Sequence, residues 1–224
     1  VDSIARGERW CIASMECKPY RLLARLCRQA AGTNQPKAIS DGPRIEKLLA
    51  DRLWIFDVQG TAKAERVLEV FEYALKRYGV KNFVVDSLAK CGFGEDADNE
   101  QKDFGDKLGD FARNNDVHVH LVCHARKGKD ESEVPDKFDV KGTGALTDMV
   151  DNIFIVWRNK PKEEKLRNTR SDFERANLQK TPDAIVECCK QRNGEWEGKV
   201  KLWFEPASLQ YLESFGIGPK RYAV

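Results

Sequence analysis

The sequence has no apolar run approaching the ~20 residues that cross a bilayer, and its opening, VDSIARGERW, lacks the apolar centre of a signal peptide. Both absences point to a cytoplasmic protein with no membrane partner. Net charge is only +2, so overall charge does not indicate nucleic acid and any basic surface must be local. Histidine is scarce: His118, His120 and His124 are the whole set. His118 and His120 fall on one face of a predicted strand, yet no cysteine or carboxylate at a matching spacing completes a tetrahedral zinc site. The seven cysteines are odd in number and form no paired C-x-x-C framework, which favours buried free thiols over disulfides. No internal repeat is present. The first residue is Val rather than Met, which suggests a piece of a longer protein.

What is present is an alternation of strands and helices. With 224 residues and 41% hydrophobic composition the chain can bury a substantial core. Residues 9–14 read as a strand, followed by a helix over 18–31 whose apolar stripe is Leu22, Leu23, Leu26 and Ala30 and whose stop is Gly32. A short helix is expected at 42–50 and a strand at 53–58. The next helix shows Val67, Leu68, Phe71, Leu75 and Tyr78 at helical spacing and ends at Gly79. Residues 80–85 are nearly continuous and β-branched, as suits a parallel strand buried on both faces. Helix 100–114 and strand 117–123 follow. This order predicts an α/β fold, a mostly parallel sheet flanked by helices. Strands are expected at 153–157 and 184–190, with a C-terminal antiparallel hairpin formed by 199–204 and 209–212. Residues 158–183, rich in charge and poor in apolar periodicity, read as a mobile excursion.

Several residues collect where chemistry is expected. Asp86 closes the central strand at its carboxyl end, where open α/β sheets bind ligands. A carboxylate there can hold Mg²⁺, directly or through water, beside a nucleotide phosphate; the same residue could instead cap the next turn. Glu16 ends the first strand at the same sheet edge. It can orient or deprotonate a water, or it can simply be an acid at a helix entry. His124 ends its strand alike and can contact a phosphate and report it to the following loop. That loop carries Arg126, Lys127, Lys129 and Lys141 with Gly142 and Gly144. Such a composition suits a segment that binds a nucleic-acid backbone, though it also suits an ordinary charged loop. Gly142 and Gly144 permit a turn in which backbone amides approach a phosphate. Lys190 and Arg192 leave a strand at alternate positions, two cations on one side able to stabilise a phosphate from outside.

Taken together, SMEC at a strand end, central VVDSL, VCHARK, KGTGALTDMVDNIFIVWRNK and CKQRNGEWEGKVKLWF stand in the order of the motifs of replicative hexameric DNA helicases. The chain resembles the RecA-like motor domain of DnaB and of the phage and mitochondrial primase-helicases, over nearly its whole length, as a single domain spanning 1–224. The resemblance implies ATP and Mg²⁺ as ligands, single-stranded DNA as partner, and a ring hexamer for the parent protein. It makes Glu16 the glutamate that activates water, Asp86 the Walker-B aspartate and His124 the phosphate sensor. It places Arg126 to Lys141 in the DNA-gripping loop and Gly142 to Asp148 beside the DNA channel. Lys190 and Arg192 become the pair that reaches into a neighbouring subunit's nucleotide site.

One departure is large. The family's phosphate loop, G-x-x-x-x-G-K-[ST], is missing from the 224 residues. In the family it precedes the strand that begins here near Arg9, so the chain is expected to start just beyond it. Without that cradle this chain alone should bind ATP poorly and hydrolyse little, and a fragment lacking the family's N-terminal linker is expected to lose the ring and remain monomeric. Two other readings stay open: a non-catalytic single-stranded-DNA-binding or assembly module of RecA-like descent, and a RecA-like or KaiC-like ATPase.

Overall fold

The computed structural model describes residues 1–58, 61–94, 97–126, 133–142 and 144–223. After a short helix α1 (Asp2–Ala5), strand β1 (Trp10–Ser14) runs into α2 (Pro19–Ala31) and α3 (Gly42–Leu49). Strand β2 (Leu53–Ile55), helix α4 (Ala64–Tyr78), strand β3 (Asn82–Asp86), helix α5 (Asp98–Asn115) and strand β4 (His118–Val122) follow. These strands form one parallel sheet in the order β2-β1-β3-β4. Its register sets Ser14 beside Asp86 and Asp86 beside Val122, so the strand ends that carry the candidate residues lie level.

A principal core packs beneath this sheet, as the alternating strands and the stripe of α4 require. Phe71 of α4 meets Phe83 of β3 at 4.7 Å, and Phe83 meets Phe111 of α5 at 5.2 Å between ring centroids. Val67, Phe71, Val80, Phe83 and Val85 are all fully buried. A second cluster joins Ile4, Ala30, Ala31, Ile45, Leu48, Leu49 and Ala223. Gly32 terminates α2 in the left-handed conformation expected of a helix stop. It is also a point of close approach by the C-terminal tail: a Cβ there would lie 2.9 Å from the carbonyl oxygen of Lys220. The stripe expected on α2 is only partly used, since Ala30 and Ala31 are buried whereas Leu23 is exposed.

Helix α6 (Gly144–Met149) leads into β5 (Asn152–Arg158), and then helices α7 (Lys160–Asn168) and α8 (Asp172–Lys180) precede β6 (Ala184–Gln191), β7 (Gly198–Glu205) and β8 (Gln210–Leu212). The last four strands form a second, antiparallel sheet in chain order. The expected α/β fold is present, and the expected hairpin is β7–β8; the antiparallel part extends two strands further, to β5 and β6.

The excursion expected at 158–183 is a helix pair. Asn159 caps α7 by accepting from Lys162 N at 3.0 Å, and Ser171 caps α8 by accepting from Glu174 N at 3.3 Å. Its anchor is polar: Lys162, only 5% exposed, lies 2.6 Å from the Asp183 carboxylate and donates to Thr181 O at 2.6 Å. β2 is shorter than expected. Phe56 N still bonds Ile12 O, but Val58 N turns back to Phe56 O and leaves the ladder. All seven cysteines are free thiols. No helix among the described residues is long and apolar enough to cross a membrane.

Candidate functional site

Three strand ends converge on a cleft of about 500 Å³ lined by Met15, Glu16, Ala89, Lys90 and His124. Glu16 follows β1 by two residues, Asp86 ends β3, and His124 follows β4 by two. Parallel pairing alone brings them to one edge. The contacts between them are then specific. Ser87 donates its hydroxyl to Glu16 Oε1 at 2.5 Å, and His124 Nε2 lies 2.9 Å from the same oxygen. Facing a carboxylate, Nε2 is the nitrogen that carries the proton. Asp86 is set from the other side: Ser14 donates to Asp86 Oδ2 at 2.9 Å, and Met15 N donates to Asp86 O at 2.8 Å. The Asp86–Ser87 peptide is cis.

The electrostatics follow the hydrogen bonds. Donation from Ser87, then from His124, holds the Glu16 carboxyl below the usual carboxylate range, against the opposing effect of burial; the charges of His124 and Lys90 act in the same sense. Glu16 is therefore an ionised acceptor near neutral pH. Both of these donors converge on Oε1, which leaves the second oxygen to hold a water.

Ser14 and Ser87, which are 2% and 0% exposed, carry no signal in the sequence. A hydroxyl at a strand end has many uses. Only the register across β1 and β3 shows that each serine serves the carboxylate of the neighbouring strand. Lys90, from the short 3-10 turn Leu88–Lys90, likewise carried no signal in the sequence.

The basic loop is tied to this cluster at its base. Lys141 N donates to the carbonyl of His124 at 2.7 Å, Arg126 N to Asp139 O at 2.5 Å, and Ala125 pairs with Val140 in an antiparallel bridge. The Arg126 guanidinium donates to Gly142 O at 3.4 Å. Gly142 has φ +136°, and a Cβ on it would meet Gln101 and Leu88. Gly144 starts α6, and its carbonyl accepts from the Thr147 hydroxyl at 2.7 Å. Lys127 and Lys129 lie outside the described residues.

Lys190 and Arg192 do share a direction. Lys190 Nζ donates to the carbonyls of Thr147 and Asp148 at 2.8 and 2.9 Å, and Arg192 Nη2 donates to Asp148 O at 2.8 Å. Within one chain the pair thus caps the carbonyl end of α6, where cations are favoured. Arg192 also lies 3.4 Å from the Asp151 carboxylate.

His118 and His120 do other work. Their rings lie 4.3 Å apart, and His120 stacks on Trp10 at 5.3 Å. Burial, and next the charge of His118, pushes the His120 imidazole down to about 4. No cluster of three His, Cys, Asp or Glu suited to a metal occurs among the described residues. For Mg²⁺ such a cluster is not required, since that ion is held by one or two carboxylates with phosphates and waters. The carboxylate of Asp86, held by the buried Ser14 hydroxyl, fits such a site. A larger cleft of about 800 Å³ lies between α7 and α8, lined by residues such as Glu164, Asn168 and Asn177, and contains none of these groups.

This arrangement can be set beside solved structures. Over 93% of its length the chain matches a solved ATPase domain, covering 75% of that chain with a TM-score of 0.66 at 18% identity. It matches a DnaB-like replicative helicase, solved with regard to its interactions with primase, with a TM-score of 0.65 at 18% identity. The fold is that of a DnaB-like helicase ATPase domain. The second match covers 92% of this chain and 51% of the helicase, so the chain spans about half of that protein's length. No family model and no curated protein matches the sequence. In the DnaB-like fold of this chain, the edge formed by Glu16, Asp86 and His124 is the carboxyl edge of the parallel sheet, the ligand-binding edge of open α/β folds.

Proposed function

We propose that this chain is the motor domain of an ATP-dependent replicative DNA helicase. The observation that carries the reading is the Glu16–Ser87–His124 cluster beside Asp86 at the carboxyl edge of a DnaB-like sheet. Glu16, kept ionised by two donors, orients the water that attacks the γ-phosphate. Asp86, fixed by Ser14, would hold Mg²⁺ directly or through water, and the ion would neutralise charge on the β- and γ-phosphates. His124 shares Glu16 Oε1 with Ser87 and bonds Lys141 through its backbone, so a change at the phosphate reaches the base of the basic loop through one residue. That loop, with Arg126, Lys127, Lys129, Lys141, Gly142 and Gly144, binds single-stranded DNA. In a ring of copies, Lys190 and Arg192 would exchange the carbonyls of α6 for a phosphate on the neighbouring subunit.

The 224 residues contain no G-x-x-x-x-G-K-[ST] loop, so the reading assigns hydrolysis to a protein in which such a loop accompanies this chain. That same absence favours a second reading, a DNA-binding module of RecA-like descent that does not hydrolyse ATP. DNA-stimulated ATP hydrolysis by this chain, beside a version extended by its upstream coding sequence, separates the two. On the helicase reading only the longer protein turns over, and Glu16→Gln or Asp86→Asn lowers its kcat by about two orders of magnitude or more. Unchanged turnover in Asp86→Asn removes the metal assignment. No turnover in either, with DNA bound by the short chain, leaves the binding module.

A further inference from the structure

Among the described residues, Lys90 is the cation on the cleft wall that neither the family resemblance nor the reading above uses. The turn that carries it is held on both sides. Its N–H donates to Ser87 O at 2.9 Å, and its carbonyl accepts from Ala62 N at 3.0 Å. Leu88 and Cys91 on either side are driven into the core, 3% and 2% exposed, which leaves Ala89 and Lys90 to face the cleft. The backbone of Lys90 is therefore anchored immediately after Asp86–Ser87, whereas its side chain makes no hydrogen bond or close ion pair among the described residues. Glu16, the nearby acid, already receives Ser87 and His124 on Oε1. An ammonium held to a rigid turn, facing an open cleft and not neutralised at contact distance, is suited to an anion that arrives from solution.

We propose that Lys90 is a phosphoryl-binding residue, contacting the terminal phosphates of a polyphosphate ligand in the cleft bounded by Met15, Glu16, Ala89 and His124. The inference deepens the nucleotide reading and rests on it for the identity of the ligand. It explains the charge pattern of the cleft wall. Glu16 repels a polyphosphate, and His124 is committed to Glu16. Lys90 is the lining residue whose charge attracts the ligand without displacing an existing bond. Its ammonium also acts on Glu16 at a distance, in the same sense as the Ser87 and His124 donors. The same cation thus has a second use when the cleft is empty.

The test is isothermal titration of the chain with inorganic pyrophosphate in Mg²⁺ buffer, for the wild type, Lys90→Gln and Lys90→Arg. Because the Lys90 side chain bonds to nothing in the described fold, both variants should unfold at the wild-type urea midpoint. Lys90→Gln should weaken pyrophosphate binding about tenfold or more, and Lys90→Arg should restore it to within about threefold, as a retained charge predicts. Binding unchanged in Lys90→Gln, or absent from the wild type, overturns the proposal. The helicase reading fails separately. If Lys90→Gln loses pyrophosphate while no form of the protein shows DNA-stimulated turnover, the anion contact stands without the motor. If turnover depends on Glu16 and Asp86 but pyrophosphate binding ignores Lys90, the motor stands without the contact.

Discussion

The two sheets are built on different terms. β1, β3 and the helices α4 and α5 enclose a core in which Phe71, Phe83 and Phe104 are all buried. The antiparallel sheet buries Ile153, Ala184, Cys188 and Leu212 but leaves Phe154, Val156, Val200, Phe204 and Tyr211 exposed on one face. Register explains the shared face: Val156 pairs with Val186, Val186 with Val200, and Phe204 with Tyr211, and directly paired residues point the same way. The half that carries Glu16, Asp86 and His124 is thus rigidly backed by apolar packing. The half that carries Lys190 and Arg192 is thinner. Precise placement of two carboxylates needs such backing, whereas cations that reach outward on long stems do not.

Truncating one aromatic in each half tests the contrast most severely. Phe83→Ala should cost about 3–5 kcal/mol, and Phe154→Ala, at an exposed site, less than about 1 kcal/mol. Urea unfolding of both variants reads the difference directly, and equal losses would erase the distinction between the sheets.

Mild acid should act first on the parallel half. The His120 imidazole, pushed down to about 4 in the fold, titrates near 6.5 when unfolded. As pH falls through that window the unfolded chain takes up a proton that the folded chain refuses. Stability is therefore full above about pH 6.5 and is lost progressively toward about pH 4. Between about pH 7.5 and about pH 5 the loss from this group is about 2 kcal/mol. His120→Phe, which can keep the stack on Trp10, should flatten that dependence; an undiminished slope would clear His120 of it.

The seam between the halves runs through α6, whose Leu146 packs on α5 and whose carbonyl end takes Lys190 and Arg192. A Cβ on Gly105 would lie 2.5 Å from Leu146 Cδ2, whereas on Gly109 it would meet only the flexible end of Arg113. Gly105→Ala should destabilise by about 1–3 kcal/mol, and Gly109→Ala should stabilise by about 0.5–1 kcal/mol. Thermal unfolding of the pair checks the opposite signs; a stabilised Gly105→Ala would mean that α6 does not sit closely on α5.

Much of this was legible in the sequence, for physical reasons. Buried parallel strands and the amphipathic α4 announce themselves by apolar spacing, and Gly32 and Gly79 mark helix ends because only left-handed backbone closes them cheaply. Once the strands were known to be parallel, Glu16, Asp86 and His124 had to share an edge. The serines could not be read, because the donor and the carboxylate it serves stand on different strands. Nor could α7 and α8, since their fixed point is the ammonium of Lys162 rather than a stripe of leucines, and a search for apolar periodicity cannot register it.

That anchor has a consequence for how the molecule comes apart. In α7 and α8 Lys162 is the only residue buried among those described, so little apolar area is exposed when the pair lifts from the sheet. Its opening free energy is then set by two ion pairs, Lys162–Asp183 and Arg158–Glu163, and a few caps rather than by the core. Residues 160–180 form a unit that can exchange its amide hydrogens and admit a protease while β3 stays closed. The folded chain accordingly has two thresholds, a low one governed by polar contacts at Lys162 and Glu163 and a high one governed by packing at Phe83.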